Sequence, residues 1–513
     1  MPKQQEPAIP RLWIAAWLLL LLVLAASVYA ASELTVRLLV GVSIGIPVVR
    51  LLWRRPEFGL LGIIFLTSSF IPADVVDIRL PVGGLKVRDL ALLGMLGLLM
   101  LRGWQRRKLD IPWWPVSRVL IIFLGFATFS LLYAILYKKV EPNWAFSEYR
   151  ALFFYAGFFV AAWAIEQRRQ VVIVLAGLFI LSDLTALIVI AQQFLGTQNR
   201  LLAAMTGGNW RVWQSDVDST VAGTVRVIPP GHVLMYTMMV IAFCLMVYAR
   251  QERRLRMIMV FQFIFLNIAL LLTYTRAEWL ASALAIALIV AVLPRVDKLK
   301  CARYGLITIV VLFSCYGLAG ASFAETINNS EFIRALTLRF SSILTPDETL
   351  GTDSLEWRIY ENGTAIEAIA RQPVLGVGLG NTYRDITLLQ NNGADQGLGG
   401  SFRFTRYVHN SYLYIAVKLG IPGFLTLIWF CLVFLWHGWR AYSRLVDPQY
   451  KRLTLAILMS FVGLLTWAFS HSHLILEEST VVVGMMAGLI SGLVAIEQHC
   501  KLPGMMPEMS EHE

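Results

Sequence analysis

Arg276, Arg358, Arg371, Arg403, Arg406 and His409 are the side chains here whose types could do chemistry together. Arginine suits a diphosphate: it is always charged, planar, and able to donate two parallel hydrogen bonds. A single histidine can take up a proton near neutral pH. Arginines beside one histidine at a membrane surface suit a reaction on a lipid diphosphate. The arginines would hold the leaving group and His409 would deprotonate an attacking hydroxyl. Plainer readings stand beside this one. Arg276, in TYTRAEWLAS, could be an interfacial anchor that reaches up to lipid headgroups. Arg358, on a loop helix, could be a solvated surface residue. Asn410 or Ser411 could be a helix cap, which leaves His409 unexplained.

These residues must be positioned by membrane helices. The chain is 57% hydrophobic and 15% charged, with a mean hydropathy of +0.65, whereas a soluble domain is about a quarter charged. Apolar runs of about 20 residues recur from end to end, which predicts an all-α polytopic membrane protein. They lie at 12–30, 35–53, 58–74, 88–101, 115–137, 148–165, 170–193, 231–249, 255–273, 277–294, 304–322, 411–436, 453–470 and 479–496. About 12–14 membrane helices are therefore expected. The runs do not alternate in polarity, which excludes a β-barrel. The first run ends in a weak cleavage site at Val28-Tyr29-Ala30 and is read as a retained helix.

The net charge of +11 does not point to nucleic acid, because the basic residues fall in short clusters between apolar runs. With the N-terminus inside, alternate connections carry Arg50/Arg54/Arg55, Arg102/Arg106/Arg107/Lys108, Arg168/Arg169, Arg250/Arg253/Arg254/Arg256, Arg295/Lys298/Lys300/Arg303 and Arg440/Arg444/Lys451/Arg452. That is the positive-inside pattern, and it places both termini in the cytoplasm. The cysteines suggest no disulfide framework.

Four segments follow from this topology. Residues 1–230 hold the N-terminal helices and an outer loop at 196–230. Residues 231–322 carry the Arg276 turn. Residues 323–410 form a large outer loop containing short helices, one expected at 354–371 and stopped by Pro373. Residues 411–513 hold the last helices and a cytoplasmic tail. Long loops usually carry function. No internal repeat is evident, so the signature of many transporters is missing.

Other signals are weaker. His471 and His473, with Glu477 and Glu478, could bind a metal, but the spacing is not a zinc pattern. Asp216-Val-Asp218 resembles a metal-binding DxD, yet it falls outside, where nucleotide sugars are not expected. Asp74 and Asp77 lie in the first outer loop, where some membrane glycosyltransferases keep an acid. Trp210 and Trp213 read as interfacial aromatics or as sugar-stacking platforms. GVGLGN at 376–381 follows no strand, so it reads as a turn whose glycines supply positive φ.

The sequence resembles the bacterial O-antigen ligase and O-antigen polymerase family in three ordered pieces. TYTRAEWLASALAIAL is similar to the family's arginine turn, with Arg276. EWRIYENGTAIEAIARQPVLGVGLGNTY is similar to its loop helix and P-L-L-G-V-G-x-G-N segment, with Arg358. VHNSYLYIAVKLGIPGFL is similar to its H-N-x-x-L segment ending in G-x-x-G, with His409. The likeness covers roughly 260–440. Thr275 replaces the usual serine, and one histidine precedes Asn410 where some ligases have two.

The resemblance implies transfer of a glycan from an undecaprenyl-diphosphate donor to a hydroxyl of a glycan or lipid acceptor. The expected place is the periplasmic face of the bacterial inner membrane. No cofactor or metal is expected. His409 would be catalytic and Arg276 and Arg358 would bind the donor diphosphate. Asn410, Arg406 and Arg371 would support them. A flippase of lipid-linked glycans would instead need charges near mid-membrane, where Arg37, Asp183 and Lys418 are the candidates. A metal-dependent membrane glycosyltransferase is the third reading.

Overall fold

The computed structural model describes residues 45–68, 86–106, 112, 114–195, 211–214, 225–229, 231–248, 253–295, 297–299, 301, 352–384 and 405–501. These form a polytopic helical membrane protein. After a helix at 45–54 come α1 (Pro56–Thr67), α2 (Val87–Gln105), α3 (Trp114–Leu136), α4 (Pro142–Phe153), α5 (Gly157–Ala164) and α6 (Arg168–Leu195). Then follow α7 (His232–Tyr248), α8 (Arg253–Leu271), α9 (Arg276–Val292), α10 (Thr352–Arg371), α11 (Ser411–Arg444), α12 (Pro448–Trp467) and α13 (Glu477–Lys501).

Among the described residues, α3, α6, α8, α11 and α13 are long and apolar enough to cross a membrane, and α1 and α7 are shorter apolar helices. The expected runs at 12–30 and 304–322 lie outside the described residues. The short run at 88–101 proves to be a 19-residue helix. Its start is fixed because Asp89 Oδ2 accepts the Lys86 backbone N–H at 2.8 Å. The run expected at 148–165 is not one straight helix. A 3-10 turn at Phe154–Ala156 separates α4 from α5, and the buried Tyr155 hydroxyl there donates to Leu474 O at 3.0 Å. The loop at 196–230 contains a β-hairpin that the apolar pattern did not reveal. Its strands β1 (Arg211–Gln214) and β2 (Val225–Ile228) pair antiparallel, Arg211 opposite Ile228.

α13 is the most enclosed of the five long helices, with 89% of its apolar window buried against 22–44% in the others. A helix apolar on all sides belongs at the centre of the bundle. Polar ties divide the bundle into two ends. One end joins Arg102 and Arg106 to Glu166, Gln170 to Glu57, Arg168 to Asp447, and the Val446 N–H to Glu497. The other joins Arg150 to Asp89, Arg88 to Glu477, Lys418 to Glu148, and His409 to Glu361. Each of these ties links connections or helix ends that the basic-residue pattern puts on one side.

One device shapes the second end. α11 is interrupted at Gly420, whose backbone is non-helical at φ 73°. Pro422 follows and has no N–H to continue the ladder. Segment 373–378 fills the gap. The Val377 N–H donates to Val417 O at 2.8 Å, the Gly378 N–H to Lys418 O at 3.2 Å, and the Ile421 N–H to Pro373 O at 2.8 Å. Backbone groups freed by the break are thus satisfied by the loop, as burial requires. Gly376 sits at φ 64°, and a Cβ there would lie 2.5 Å from Val417 O. Gly376→Ala should therefore cost about 1–3 kcal/mol through positive-φ strain and overlap. Gly363→Ala, inside α10 with open space around it, should be neutral or stabilising by about 0.5–1 kcal/mol. Thermal unfolding in detergent compares the two; equal midpoints would rule out the tight seat of Gly376 against α11.

Candidate functional site

The Arg276 turn is held before any ligand arrives. Thr273 and Tyr274 bend the chain between α8 and α9. Tyr274 is buried at φ 52°, a strained position for an aromatic residue, and burial pushes its phenol up to about 12. The Thr273 hydroxyl lies 2.8 Å from Glu278 Oε2, and Trp279 Nε1 donates to Leu270 O at 3.3 Å. Thr275 is the N-cap residue of α9, which makes Arg276 its first residue. The guanidinium therefore leaves from a fixed helix start.

Arg358 lies on α10, which ends where Pro373 was expected to stop it. Burial lowers its pKa, Glu361 opposes that shift, and the like charge of Arg276 adds to it. The two arginines are thus near enough to repel each other. Both stay charged, because a guanidinium does not deprotonate in proteins. Arg358 thus lies within electrostatic range of one further cation and of the Glu361 carboxylate.

Glu361 connects this pair to the histidine. It is three residues beyond Arg358 and so on the same face of α10. Its side chain is only 2% exposed. Oε2 accepts both the His409 backbone N–H at 2.9 Å and the His409 ring at Nδ1 at 2.8 Å. Oε1 faces the Arg384 guanidinium at 3.5 Å, and Arg384 in turn lies over the Tyr383 ring. Surrounded by donors, the carboxyl group acts as acceptor, so Nδ1 carries the hydrogen and Nε2 is left as the basic nitrogen. The ring is 37% exposed, and Tyr407 packs edge-on to it with centroids 5.3 Å apart. A fixed imidazole with its second nitrogen available is what a general base needs.

The supporting residues divide. Asn410 is the N-cap of α11; its Oδ1 accepts the Tyr412 and Leu413 N–H groups at 3.0 and 3.2 Å. Ser411 instead ties the helix start to the next turn, donating to His471 O at 2.8 Å. Arg406 stacks over Trp144 at 4.4 Å; burial lowers its pKa, against Glu148 and Glu141. Arg371 is 76% exposed and pairs with Glu367 one turn back at 3.3 Å, an ordinary surface ion pair that is not drawn into the cluster. Lys418, fully buried in α11, donates to Glu148 at 2.9 Å and to Asn381 O at 2.6 Å. Glu148 Oε2 also accepts the Gly380 N–H at 2.6 Å. This pair pins the far end of the glycine loop. As the sequence implied, Gly376, Gly378 and Gly380 all have positive φ.

Sequence reasoning missed Glu361, Arg384 and the Lys418–Glu148 pair. Glu361 had a signal, its one-turn spacing from Arg358 in WRIYE; Lys418 stood out as a charge in an apolar run, but Arg384 and the choice of Glu148 as its partner had none, because their partners are distant in sequence. Arg403, Asp74, Asp77, Asp216, Asp218, Trp210 and Arg37 lie outside the described residues. Trp213 falls in β1. His471 and His473 stack with centroids 5.4 Å apart, and His473 is buried against Trp467. Burial, then His232 and His471, hold the His473 pKa well below the usual range. Glu477 meanwhile pairs with Arg88 at 2.7 Å. Among the described residues, no group of three or more His, Cys, Asp or Glu side chains could hold a metal ion.

No curated protein matches the chain. Residues 261–428 match the family described as O-Antigen ligase, a stretch that contains Arg276, Arg358, Glu361 and His409. This polytopic membrane protein is thus similar to the O-antigen ligases over residues 261–428, a stretch short of half its length.

Proposed function

We propose that this protein transfers a glycan from an undecaprenyl-diphosphate donor to a hydroxyl of a glycan or lipid acceptor, at the periplasmic face of the bacterial inner membrane. The observation that carries the reading is the buried Glu361 carboxylate holding His409, with Arg358 on the same face of α10 and Arg276 within electrostatic range of Arg358. It sets a cationic pair for a leaving diphosphate beside an oriented base.

In the proposed reaction the acceptor oxygen attacks the anomeric carbon. The bond from that carbon to the diphosphate oxygen breaks, and its electron pair leaves on the diphosphate. Negative charge grows on the leaving oxygen, where preorganised donors help most. Arg276 and Arg358 bind and neutralise it. The acceptor proton passes to His409 Nε2. Glu361 holds the ring and stabilises the imidazolium that forms. The bilayer keeps the donor lipid at the site, which contributes proximity. The positive-inside pattern supports an outward-facing site and cytoplasmic termini.

The flippase reading has less support. Of its mid-membrane charges, Asp183 accepts from Gln262 at 2.8 Å and Lys418 pairs with Glu148. Both are accounted for by helix-to-helix ties.

Purified protein given a polyprenyl-diphosphate glycan and an acceptor should release polyprenyl diphosphate, and this release should survive a chelator. Movement of donor across a bilayer without release would overturn the proposal. His409→Ala should lower the rate by about 10²–10⁴-fold while the protein still inserts. Glu361→Gln should lower kcat by roughly tenfold or more with donor KM little changed, since it disturbs the orientation and charge of the base. A Glu361→Gln enzyme with wild-type kcat would remove that role. Arg276→Lys should also be poor, because lysine cannot make the paired contact. Wild-type turnover in Arg276→Ala would sink the donor clamp.

A further inference from the structure

A cavity of about 650 Å³ lies at the opposite end of the bundle, between the C-terminal turns of α2, the exit of α5 and α13. Its wall includes Arg102, Arg106, Trp163, Glu166 and Ile496. The volume falls within the range of ligand sites. The glycosyl-transfer site makes no use of it.

Its chemistry is that of a cationic pair. Arg102 is 8% exposed, so its guanidinium is nearly buried. Nη2 donates to Glu166 Oε2 at 3.3 Å. Among the described residues, Arg102 Nε and Nη1 have no hydrogen-bond partner. Arg106, about half exposed, reaches the same carboxylate at 3.2 and 3.3 Å. Two guanidinium groups therefore share one carboxylate in the cavity wall, with the buried Glu57 also in electrostatic range of Arg102. Buried unpartnered donors on a charged group are costly, and an anion with several acceptor oxygens removes that cost.

The neighbouring surface says where the anion comes from. On the same turns of α2, Met100, Leu101 and Trp104 are exposed, Trp104 by 73%. Exposed aliphatic residues capped by tryptophan mark the boundary between hydrocarbon and headgroups. The basic connections 102–108 and 168–169 mark this end as cytoplasmic. Basic pockets between helices on that side suit phospholipid headgroups.

We propose that this cavity binds a phosphate group, that of an anionic phospholipid of the cytoplasmic leaflet, through Arg102 and Arg106. Glu166 holds the two guanidinium groups apart and competes with the ligand.

The test uses the full-length protein in detergent. Retention in native mass spectrometry and thermal stabilisation are measured with phosphatidylglycerol, with diacylglycerol, which lacks the phosphate, and with inorganic phosphate at fixed ionic strength. Phosphatidylglycerol should bind and stabilise, and diacylglycerol should not. Arg102→Gln should weaken binding by roughly tenfold or more, as loss of a charged hydrogen bond implies. Arg106→Gln, at the half-exposed rim, should weaken it too and keeps the test valid should Arg102→Gln fail to fold. Glu166→Gln should tighten binding, whereas a merely structural ion pair would only lose stability. Inorganic phosphate acting alone, with the same response to the variants, would keep the phosphate site and identify a soluble source. Binding that ignores Arg102 and Arg106, or that weakens in Glu166→Gln, would overturn the proposal.

Discussion

A buried carboxylate organises the site. Glu361 is removed from water and takes two hydrogen bonds from one residue, the backbone and the ring of His409. A buried charge without such partners would be expensive. The cost is met by His409 and Arg384, so the loop helix and the start of α11 must meet. That meeting fixes the imidazole's tautomer and direction and brings Arg358, one turn away, beside the same point. Arg276 arrives separately, from a turn locked by Thr273, Glu278 and Trp279.

The helix break at Gly420 serves the same end. An unbroken α11 would keep the carbonyls of Val417 and Lys418 within its own ladder. With the break, they accept the amides of Val377 and Gly378, and the loop after α10 is stitched into the helix. Lys418 then secures that loop through Glu148 and Asn381. A buried ion pair of this kind is weak evidence for stability, because desolvation offsets much of its attraction. Its value is positional: α4, α10's following loop and α11 must adopt one arrangement to satisfy both charges. The loop helix therefore stands on a rigid base, as a reaction that tolerates little misplacement requires.

How much of this was legible in the sequence depends on the range of each interaction. Among the described residues, long apolar runs form helices near their expected places, because twenty apolar residues have few other options beside a bilayer. The turn glycines were legible because positive φ is a local demand. Asn410 as a cap was legible for the same reason. The 3-10 turn in 148–165 was not, since it answers to contacts with Leu474 and α13, over three hundred residues away. Arg384 and Glu148 act through partners chosen by tertiary packing, and no local pattern marks them; Lys418 was visible as a charge in an apolar run, but its partner was not. Arg371 shows the reverse: it had the right type and neighbourhood, but its face of α10 points to solvent and to Glu367.

The two ends of the bundle make different use of paired arginines. At one end Arg358 lies within electrostatic range of both Arg276 and Glu361, and Glu361 is engaged by His409 and Arg384. At the other end Arg102 and Arg106 are bridged by Glu166. A bridged pair is partly neutralised at rest and suits an anion that stays bound. A carboxylate engaged by a histidine instead orients a base, and fixed charge beside such a base helps most where charge grows during a reaction. The difference between the two arginine pairs therefore lies in where the nearest carboxylate is spent. In the two proposals above, that placement separates the site assigned to glycosyl transfer from the one assigned to a bound phosphate.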